Sequence, residues 1–381
     1  MSLTARFIHS VETVPVEQWN RLAGDEYPFH RHEFLAALEH SECVGGKSGW
    51  HPFHLLLEEE NGELLGILPL YQKTNSEGEF VFDFAWANAY HQAGLDYYPK
   101  LVAGVPFTPA TSTCCLTAPG QDATDIRATL ISAAIQVAKE NELSSLHLLF
   151  PTEAEHLQFS ELGLLSRHDC QYHWHNDGYI DFEHFLSKFS AKKRKKVKRE
   201  RRKVAEAGIR FEILAGTDMS DDIWDEISPL YASTFFMRGR APYLTPAFFK
   251  EITRSLPASL VVVIGRIDDK AVSTAICFRG RDTLYGRYWG CSDAYDSLHF
   301  ETCYYQGIEY CINEGIQTFE PGTQGEHKIA RGFTPTTTWS SHWIRDSRFA
   351  AAIADYLERE GEHVDEFATH LESRVPFRKD L

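Results

Sequence analysis

The chain repeats one order of sequence signals in its two halves. Residues 61–71, NGELLGILPLY, match residues 268–278, DDKAVSTAICF, as a polar turn followed by an apolar strand, and another strand precedes each, which predicts two hairpins. Four further pairs of markers follow in the same order: Tyr90 with Tyr295, Asn141 with Asn313, Gly163 with Gly332, and His173-Trp174 with His342-Trp343. Each half is therefore predicted to contain a helix, a hairpin, a third strand, a long helix, a strand and a last strand.

This order predicts an α/β protein with mixed sheets, built as two tandem domains. We expect the first domain at residues 1–177 and the second at 178–346. The spacing between partners shortens after Tyr90, which predicts an insertion in the first domain at residues 91–120. Residues 347–381 begin with an amphipathic pattern and are predicted to close the chain as one or two helices.

A basic segment, SAKKRKKVKRERRKVAEAG at residues 190–208, lies at the predicted domain junction. Between residues 192 and 203 it holds ten of the 38 lysines and arginines of a chain whose net charge is -16, with Glu200 as its only acid. The acidic remainder excludes a generally basic surface of the kind that coats nucleic acid. The segment predicts a helix at residues 187–207, which opens the second domain.

Its cationic face has several interpretations. Lys195, Lys198 and Arg202 are three and four residues apart, so they share one face and are candidates for phosphate binding. A solvated connecting helix is the plainer alternative, and a nuclear-localisation signal fits the same residues. The basic segment alone does not decide among these.

Composition limits the class of protein. The chain is 43% hydrophobic and 24% charged, which indicates folded domains with cores. Its first residues lack a signal-peptide core, and no run reaches the ~18 apolar residues of a membrane span, so we expect a cytoplasmic protein. The eight cysteines form no C-x-x-C pair, and the cluster His168, Cys170, His173 and His175 lacks the spacing of a zinc site. We expect no disulfides and no metal.

Two blocks, HFETCYYQGIEYCINEGIQTFEPGTQGEHKIARGFTP at 299–335 and AGLDYYPKLVAGVPFTP at 93–109, add to the repeat and the basic helix. With these features the chain, over roughly residues 5–375, resembles the FemAB-like branch of the GNAT acyltransferase superfamily, labelled peptidoglycan biosynthesis/recognition. The resemblance implies tandem GNAT-like domains and transfer of an acyl or aminoacyl group to an amine. In the better-understood Fem ligases the donor is aminoacyl-tRNA and the acceptor is a peptidoglycan precursor.

The chain departs from acetyl-CoA-binding members at one loop. Those members place R/Q-x-x-G-x-G/A after their fourth strand, where backbone N–H groups hold a pyrophosphate. The matching stretch here, YWGCSDAYDSLHFET, lacks the glycine pair, as does the first half. We therefore favour an aminoacyl-tRNA-type donor, no tightly bound cofactor, and an amine-bearing acceptor. An acyl-CoA-dependent N-acetyltransferase and a non-catalytic protein that binds RNA or a cell-wall fragment are the alternatives. The sequence predicts tRNA or a phosphate-bearing small molecule as partner and no particular protein partner.

The densest polar motif is EPGTQGEHKIARGF, at 320–333. Glu320, Glu326 and His327 are candidate acid-base groups, and Lys328, Arg331 and Gln324 are candidate substrate ligands, since the two cations are three apart. His299 and Glu301, at the start of the second long helix, could serve as base and orienting group. The alternatives are a structural glycine-rich turn for the first set and ordinary helix capping for the second.

The predicted insertion supplies further candidates, Tyr97, Tyr98 and Lys100, on a segment stiffened by prolines. A long ordered loop inside a compact domain is commonly functional, so we expect these residues to form a wall of the donor or acceptor channel. A packed excursion without a role is the alternative.

Overall fold

The computed structural model describes residues 3–118, 122–323 and 325–378. The chain folds into two compact units. Unit 1 comprises Met1–Cys170 and Thr337–Glu366, and unit 2 comprises Gln171–Thr336 and Phe367–Leu381. The unit limits fall inside single secondary-structure elements, so neither unit is one continuous piece of chain.

The first part of the chain alternates short helices with strands. Its strands are β1 (Leu3–Ile8), β2 (Trp50–Pro52), β3 (His54–Glu59), β4 (Leu64–Leu68), β5 (Leu70–Lys73), β6 (Lys100–Ala103), β7 (Leu116–Thr117), β8 (Ser145–Leu149) and β9 (Leu165–His175). Its helices are α1 (Val16–Ala23), α2 (His32–His40), α3 (Phe84–Gln92), α4 (Thr124–Glu140) and α5 (Glu153–Glu161).

The second part follows a similar plan. Its helices are α6 (Phe182–Ser187), α7 (Ala191–Glu206), α8 (Asp221–Phe236), α9 (Pro246–Ser255), α10 (Leu298–Phe300), which a π-helical turn (Glu301–Tyr305) joins to α11 (Gln306–Glu314), and α12 (Ser347–Glu372). Its strands are β10 (Arg210–Ala215), β11 (Leu260–Ile267), β12 (Lys270–Arg279), β13 (Thr283–Cys291), β14 (Thr318–Glu320) and β15 (Thr334–Ile344).

Unit 1 holds two runs of paired strands among its described residues. One has the order β1-β3-β4-β7, and the other has the order β15-β8-β6-β5-β2, in which β6 and β8 are parallel. The apolar faces of β3, β4 and β8 pack with α4, where Leu130, Ile131 and Ala134 are at most 1% exposed. This layer of helix on sheet is the core of unit 1.

Unit 2 has the strand order β10-β11-β12-β13-β14-β9 among its described residues. Pairing is antiparallel except between β13 and β14, which are parallel only from Thr283 to Tyr285 and then part. The alternating residues of β11 and β12 are buried on both faces, as expected for strands covered by helices.

The predicted α/β class with mixed sheets and a C-terminal helix is confirmed, with α12 as a single helix. Both predicted hairpins form, as β3-β4 and β11-β12. The third strand predicted to end at Tyr90 is wrong, because Phe84–Gln92 is helix α3. The strand that pairs in parallel with β8, as β13 does with β14, is β6, which lies inside the predicted insertion. That segment is therefore not a loop throughout.

The last strand of each unit comes from the other half of the sequence. In unit 1, β15 pairs with β8 through His342 and Trp343, and in unit 2, β9 pairs with β14 through Trp174 and His175. The matching His-Trp markers made the two strands look alike, so the sequence pattern carried no information about which partner each one takes.

Candidate active site

The candidate site in unit 2 is built on the π-helical turn between α10 and α11. This turn contains five residues, of which Glu301, Thr302, Tyr304 and Tyr305 are buried. A π turn is wider than an α turn and is frequent at functional sites. Here it lets two consecutive tyrosines contact different partners, since Tyr304 bonds His327 and Tyr305 bonds Glu200.

His327 is the accessible imidazole of the site. It lies in a short 3₁₀ helix, Glu326–Arg331, and its Nε2 is 2.9 Å from the Tyr304 hydroxyl oxygen. Partial burial, with smaller contributions from Arg331 and Lys328, lowers the pKa of His327, so the ring is neutral at pH 7. Burial raises the pKa of Tyr304, which keeps its phenol protonated. A neutral, exposed and hydrogen-bonded imidazole is able to accept a proton.

The backbone before this helix requires glycine. Gly325 has φ +117°, and a Cβ added there would lie 2.3 Å from Cε1 of His327. Only a residue without a side chain therefore leaves room for the imidazole in this position.

His299 is the second imidazole of the site. Its ring stacks on Trp289, with centroids 4.4 Å apart, and lies 5.8 Å from the ring of His327. Burial, reinforced by His327, Lys328 and Arg331, lowers the pKa of His299 to about 4. Because the ring is neutral and held by stacking, it adds no positive charge beside His327.

Lys328 is a buried amine. It is 2% exposed, and its Nζ donates to the carbonyl oxygen of Gly322 at 2.5 Å. No carboxylate among residues 3–118, 122–323 and 325–378 forms an ion pair with it. Burial accordingly lowers the pKa of Lys328 to about 7. This amine changes its charge near neutral pH.

Arg331 is bound by the protein on two sides. Its Nη2 donates to Glu200 at 2.9 Å and its Nη1 donates to the carbonyl oxygen of His327 at 2.6 Å. Its guanidinium carbon lies 3.2 Å from the centroid of the Phe300 ring. The Tyr305 hydroxyl donates to the other oxygen of Glu200 at 2.5 Å. Arg331 thus positions the backbone of His327.

The predicted acidic candidates occupy three different places. Glu301 accepts hydrogen bonds from Arg201 and Gln306, and burial raises its pKa against the opposing effect of Arg201. Glu326 is exposed and pairs with Arg374 at 3.1 Å. Glu320, 9% exposed, ends β14 and is the register partner of Tyr285. Gln324 lies outside the described residues.

The basic segment folds as helix α7, with Val197, Glu200 and Val204 buried. Of the proposed phosphate ligands, Lys198 pairs with Glu183 at 2.6 Å and Arg202 with Glu206 at 3.5 Å, both through exposed side chains. Lys195 forms no ion pair with any carboxylate that the structure describes. Exposed pairs of this kind contribute little and exchange readily, so this face can accept phosphate.

The residues expected to line a channel belong to unit 1. Lys100 is 0% exposed in β6 and donates to Asp83 and, at 2.8 Å, to Glu79. The Tyr97 hydroxyl donates to Asp83 at 2.6 Å, and the half-buried Tyr98 bonds Ser76 at 2.7 Å. These contacts form a buried polar cluster around the β5-β6 pair.

The described ranges contain no group of three or more His, Cys, Asp or Glu residues that could hold a metal ion. Within those same ranges, no helix has both the length and the apolar character required to span a membrane.

Sequence reasoning missed Tyr304, Glu200 and Trp289. Tyr304 and Phe300 are four residues apart in the block at 299–335, which is helical spacing. Glu200 is the single acid of the basic segment, a signal that was visible but was not used. The stacking of Trp289 on His299 joins a strand to a helix and had no sequence signal.

Comparisons with known proteins agree with the geometry. Residues 10–379 match the model of the FemAB-like family, described as peptidoglycan biosynthesis/recognition, which confirms the resemblance seen in the sequence. None of the curated proteins matches the chain.

Three solved structures are similar to it. The C-terminal DUF2156 domain of a proposed lysylphosphatidylglycerol synthetase from Agrobacterium fabrum is 12% identical with a TM-score of 0.54, covering 90% of this chain and 95% of that one. FemX is 10% identical with a TM-score of 0.51, covering 84% and 93%. A tandem GNAT protein from the clavulanic acid biosynthesis pathway is 11% identical with a TM-score of 0.47, covering 90% and 98%. The fold is thus the expected tandem GNAT-like one.

Proposed function

Because the chain belongs to the FemAB-like family of peptidoglycan biosynthesis and recognition, we propose that it transfers an aminoacyl group from tRNA to an amine acceptor. Family and fold support an acyl or aminoacyl transferase in general, and the donor is the specific part of the proposal. The observation that carries it is the exposed, neutral His327, held by Tyr304 beside the buried amine of Lys328.

The chemistry requires a base and a proton donor. In the tautomer whose Nε2–H donates to Tyr304, Nδ1 of His327 accepts a proton from the acceptor ammonium. The freed amine then attacks the ester carbonyl carbon, the ester C–O bond breaks, and the departing hydroxyl oxygen takes a proton. Lys328, whose pKa is about 7, is suited to supply that proton and to stabilise the oxyanion while it is charged.

The cationic face of α7 supports a donor that carries phosphates. Lys195, Lys198 and Arg202 lie on the side of α7 away from the buried Val197 and Val204, so phosphate can reach them. A tRNA donor would also place the reaction in the cytoplasm.

The test supplies tRNA charged with labelled amino acids and a peptidoglycan precursor with a free amine. We expect label in an amide that survives mild alkali, which hydrolyses the aminoacyl ester. His327→Asn should lower kcat by ~10²-fold or more, the usual contribution of a general base. The matched control is His91→Asn, at an exposed histidine of α3, which should leave kcat unchanged. Full activity of His327→Asn would exclude this base.

The same assay separates the alternatives. Transfer from acetyl-CoA without transfer from tRNA would identify an N-acetyltransferase, and tRNA or precursor binding without product would identify a binding protein. Replacing Lys195, Lys198 and Arg202 by Glu should weaken tRNA binding, and log K should fall by roughly 0.7 to 0.9 less per lost phosphate contact for each decade of salt. Unchanged tRNA affinity at low salt would remove α7 from the donor site.

A further inference from the structure

A groove of about 380 Å³ lies in unit 1, between the start of β9 and α12. It is lined by Leu165, Ser166 and His168 from the strand and by Leu357, Glu358 and Asp365 from the helix. None of these residues takes part in the candidate site of unit 2. The groove combines an apolar floor with a serine that belongs to a hydrogen-bonded chain.

The chain of hydrogen bonds runs from the groove into the core of unit 1. The exposed Ser166 hydroxyl lies 2.8 Å from Nε2 of His156, and Nδ1 of His156 lies 2.9 Å from the hydroxyl of Ser341. His156 is 2% exposed and Ser341 is 0% exposed, so the surface end of the chain is Ser166.

The imidazole between the two serines is fixed and neutral. The ring of His156 stacks on Trp339, with centroids 4.4 Å apart and planes 19° apart. Burial lowers the pKa of His156, so it carries no proton on one nitrogen at pH 7. In the tautomer whose Nδ1–H donates to Ser341, Nε2 accepts the proton of Ser166. A serine bonded to a base that a third group orients is the arrangement of an activated nucleophile.

The walls of the groove indicate the charge of its ligand. Glu358, Glu362 and Asp365 on α12 place carboxylates along one side, and Asp365 lies 3.0 Å from His168. A Cβ on Gly361 would lie 2.8 Å from Cε1 of His168, so the glycine lets the helix approach the strand. Carboxylates on one wall favour a cationic ligand.

We propose that this groove is a serine-dependent esterase site for esters of cationic amino acids. His156 Nε2 removes the hydroxyl proton of Ser166, and Oγ attacks the ester carbonyl carbon. The ester C–O bond breaks, and the alcohol leaves with the proton from His156. A water molecule then attacks acyl-Ser166 by the same route, which releases the amino acid and restores the hydroxyl. The net reaction converts ester and water into acid and alcohol.

The probes are the p-nitrophenyl esters of lysine and of norleucine, which differ in the ε-ammonium group. We expect the protein to release nitrophenol from the lysine ester, and Ser166→Ala and His156→Gln to slow this by ~10²-fold. Ser373→Ala, at an exposed serine of unit 2, is the matched control and should keep the full rate. Glu358→Gln with Glu362→Gln should lower the rate with the lysine ester and leave the norleucine rate unchanged.

Two further measurements separate chemistry from structure. Phenylmethanesulfonyl fluoride should label the protein at Ser166, as read by mass spectrometry of its peptides. Ser341 is a positioning residue, so Ser341→Ala should slow the labelling and Ser341→Thr should restore it. Nitrophenol release at the buffer rate, or release by Ser166→Ala at the wild-type rate, would overturn the proposal. Ser166 is exposed, so Ser166→Ala should fold normally and decides the matter even where His156→Gln does not fold.

Discussion

The pair of lysines in the sheet of unit 1 gives the most direct test of the fold. Lys73 and Lys100 face each other as register partners of β5 and β6, and both are 0% exposed. Two buried ammonium groups side by side are tolerable only if carboxylates neutralise them. Glu79 and Asp83, 3% and 2% exposed, do so from the segment between β5 and α3.

We predict that Lys100→Met destabilises unit 1 by about 3–5 kcal/mol, the range found when one partner of a buried ion pair is removed. Asp83 then loses its only ion-pair partner, while Glu79 keeps Lys73 at 4.0 Å. The matched control is Lys47→Met, at an exposed lysine without an ion pair among the described residues, and it should change stability by less than about 0.5 kcal/mol.

Urea unfolding of both variants measures these energies, and hydrogen exchange of the β6 amides assigns the loss to unit 1. A double-mutant cycle adds Asp83→Asn, which keeps an acceptor for Tyr97 but removes the charge. Since Lys100 and Asp83 are in direct contact, the cycle should show a coupling of about 1–3 kcal/mol. Additive effects, or a cost of Lys100→Met below about 1 kcal/mol, would refute the view that this ion pair holds the segment in place.

Three further predictions concern unit 2. Burial holds the pKa of Lys328 near 7, below its ordinary value, so the unfolded chain binds one more proton between pH 7 and about pH 10; the stability lost on Lys328→Met should therefore become more unfavourable with rising pH by up to ~1.4 kcal/mol per unit, as measured by urea melts at pH 7 and 9. Gly325→Ala should cost about 1–3 kcal/mol and transferase activity together, whereas Gly24→Ala, at φ +67° with open space around it, should cost stability alone in thermal melts. Glu200→Gln leaves Arg331 buried without a carboxylate and should cost about 3–5 kcal/mol in urea unfolding, against less than about 0.5 kcal/mol for the exposed Glu183→Gln.

The elements with strong local patterns could be predicted from the sequence. The two hairpins, the basic helix and the C-terminal helix each have a period or a turn signal of their own. Residues 84–90 failed because aromatic residues there suggest a strand, whereas Trp86 and Tyr90 are four apart and are both buried on one face of α3. The choice of a period of two over a period of 3.6 decided the error.

The site was predictable only as a list of residue types. The spacing of Lys328 and Arg331 suggested one shared anion, but Arg331 is bound to Glu200, 131 residues earlier in the chain. Lys100 looked like a surface cation in a proline-rich segment, because nothing local shows that Glu79 and Asp83 fold back over it. Such pairings depend on tertiary contacts, which the sequence pattern does not contain.

Glu200 explains how one helix can hold both a structural contact and a free cationic face. With Val197 and Val204 it forms the buried side of α7, at intervals of three and four residues. On that side, Glu200 accepts from Arg331, which in turn donates to the backbone of His327. On the other side, Lys195, Lys198 and Arg202 remain accessible. A phosphate bound there would therefore be linked to the His327 segment by a rigid helix and two hydrogen bonds, so donor binding and the position of the proposed base depend on the same element.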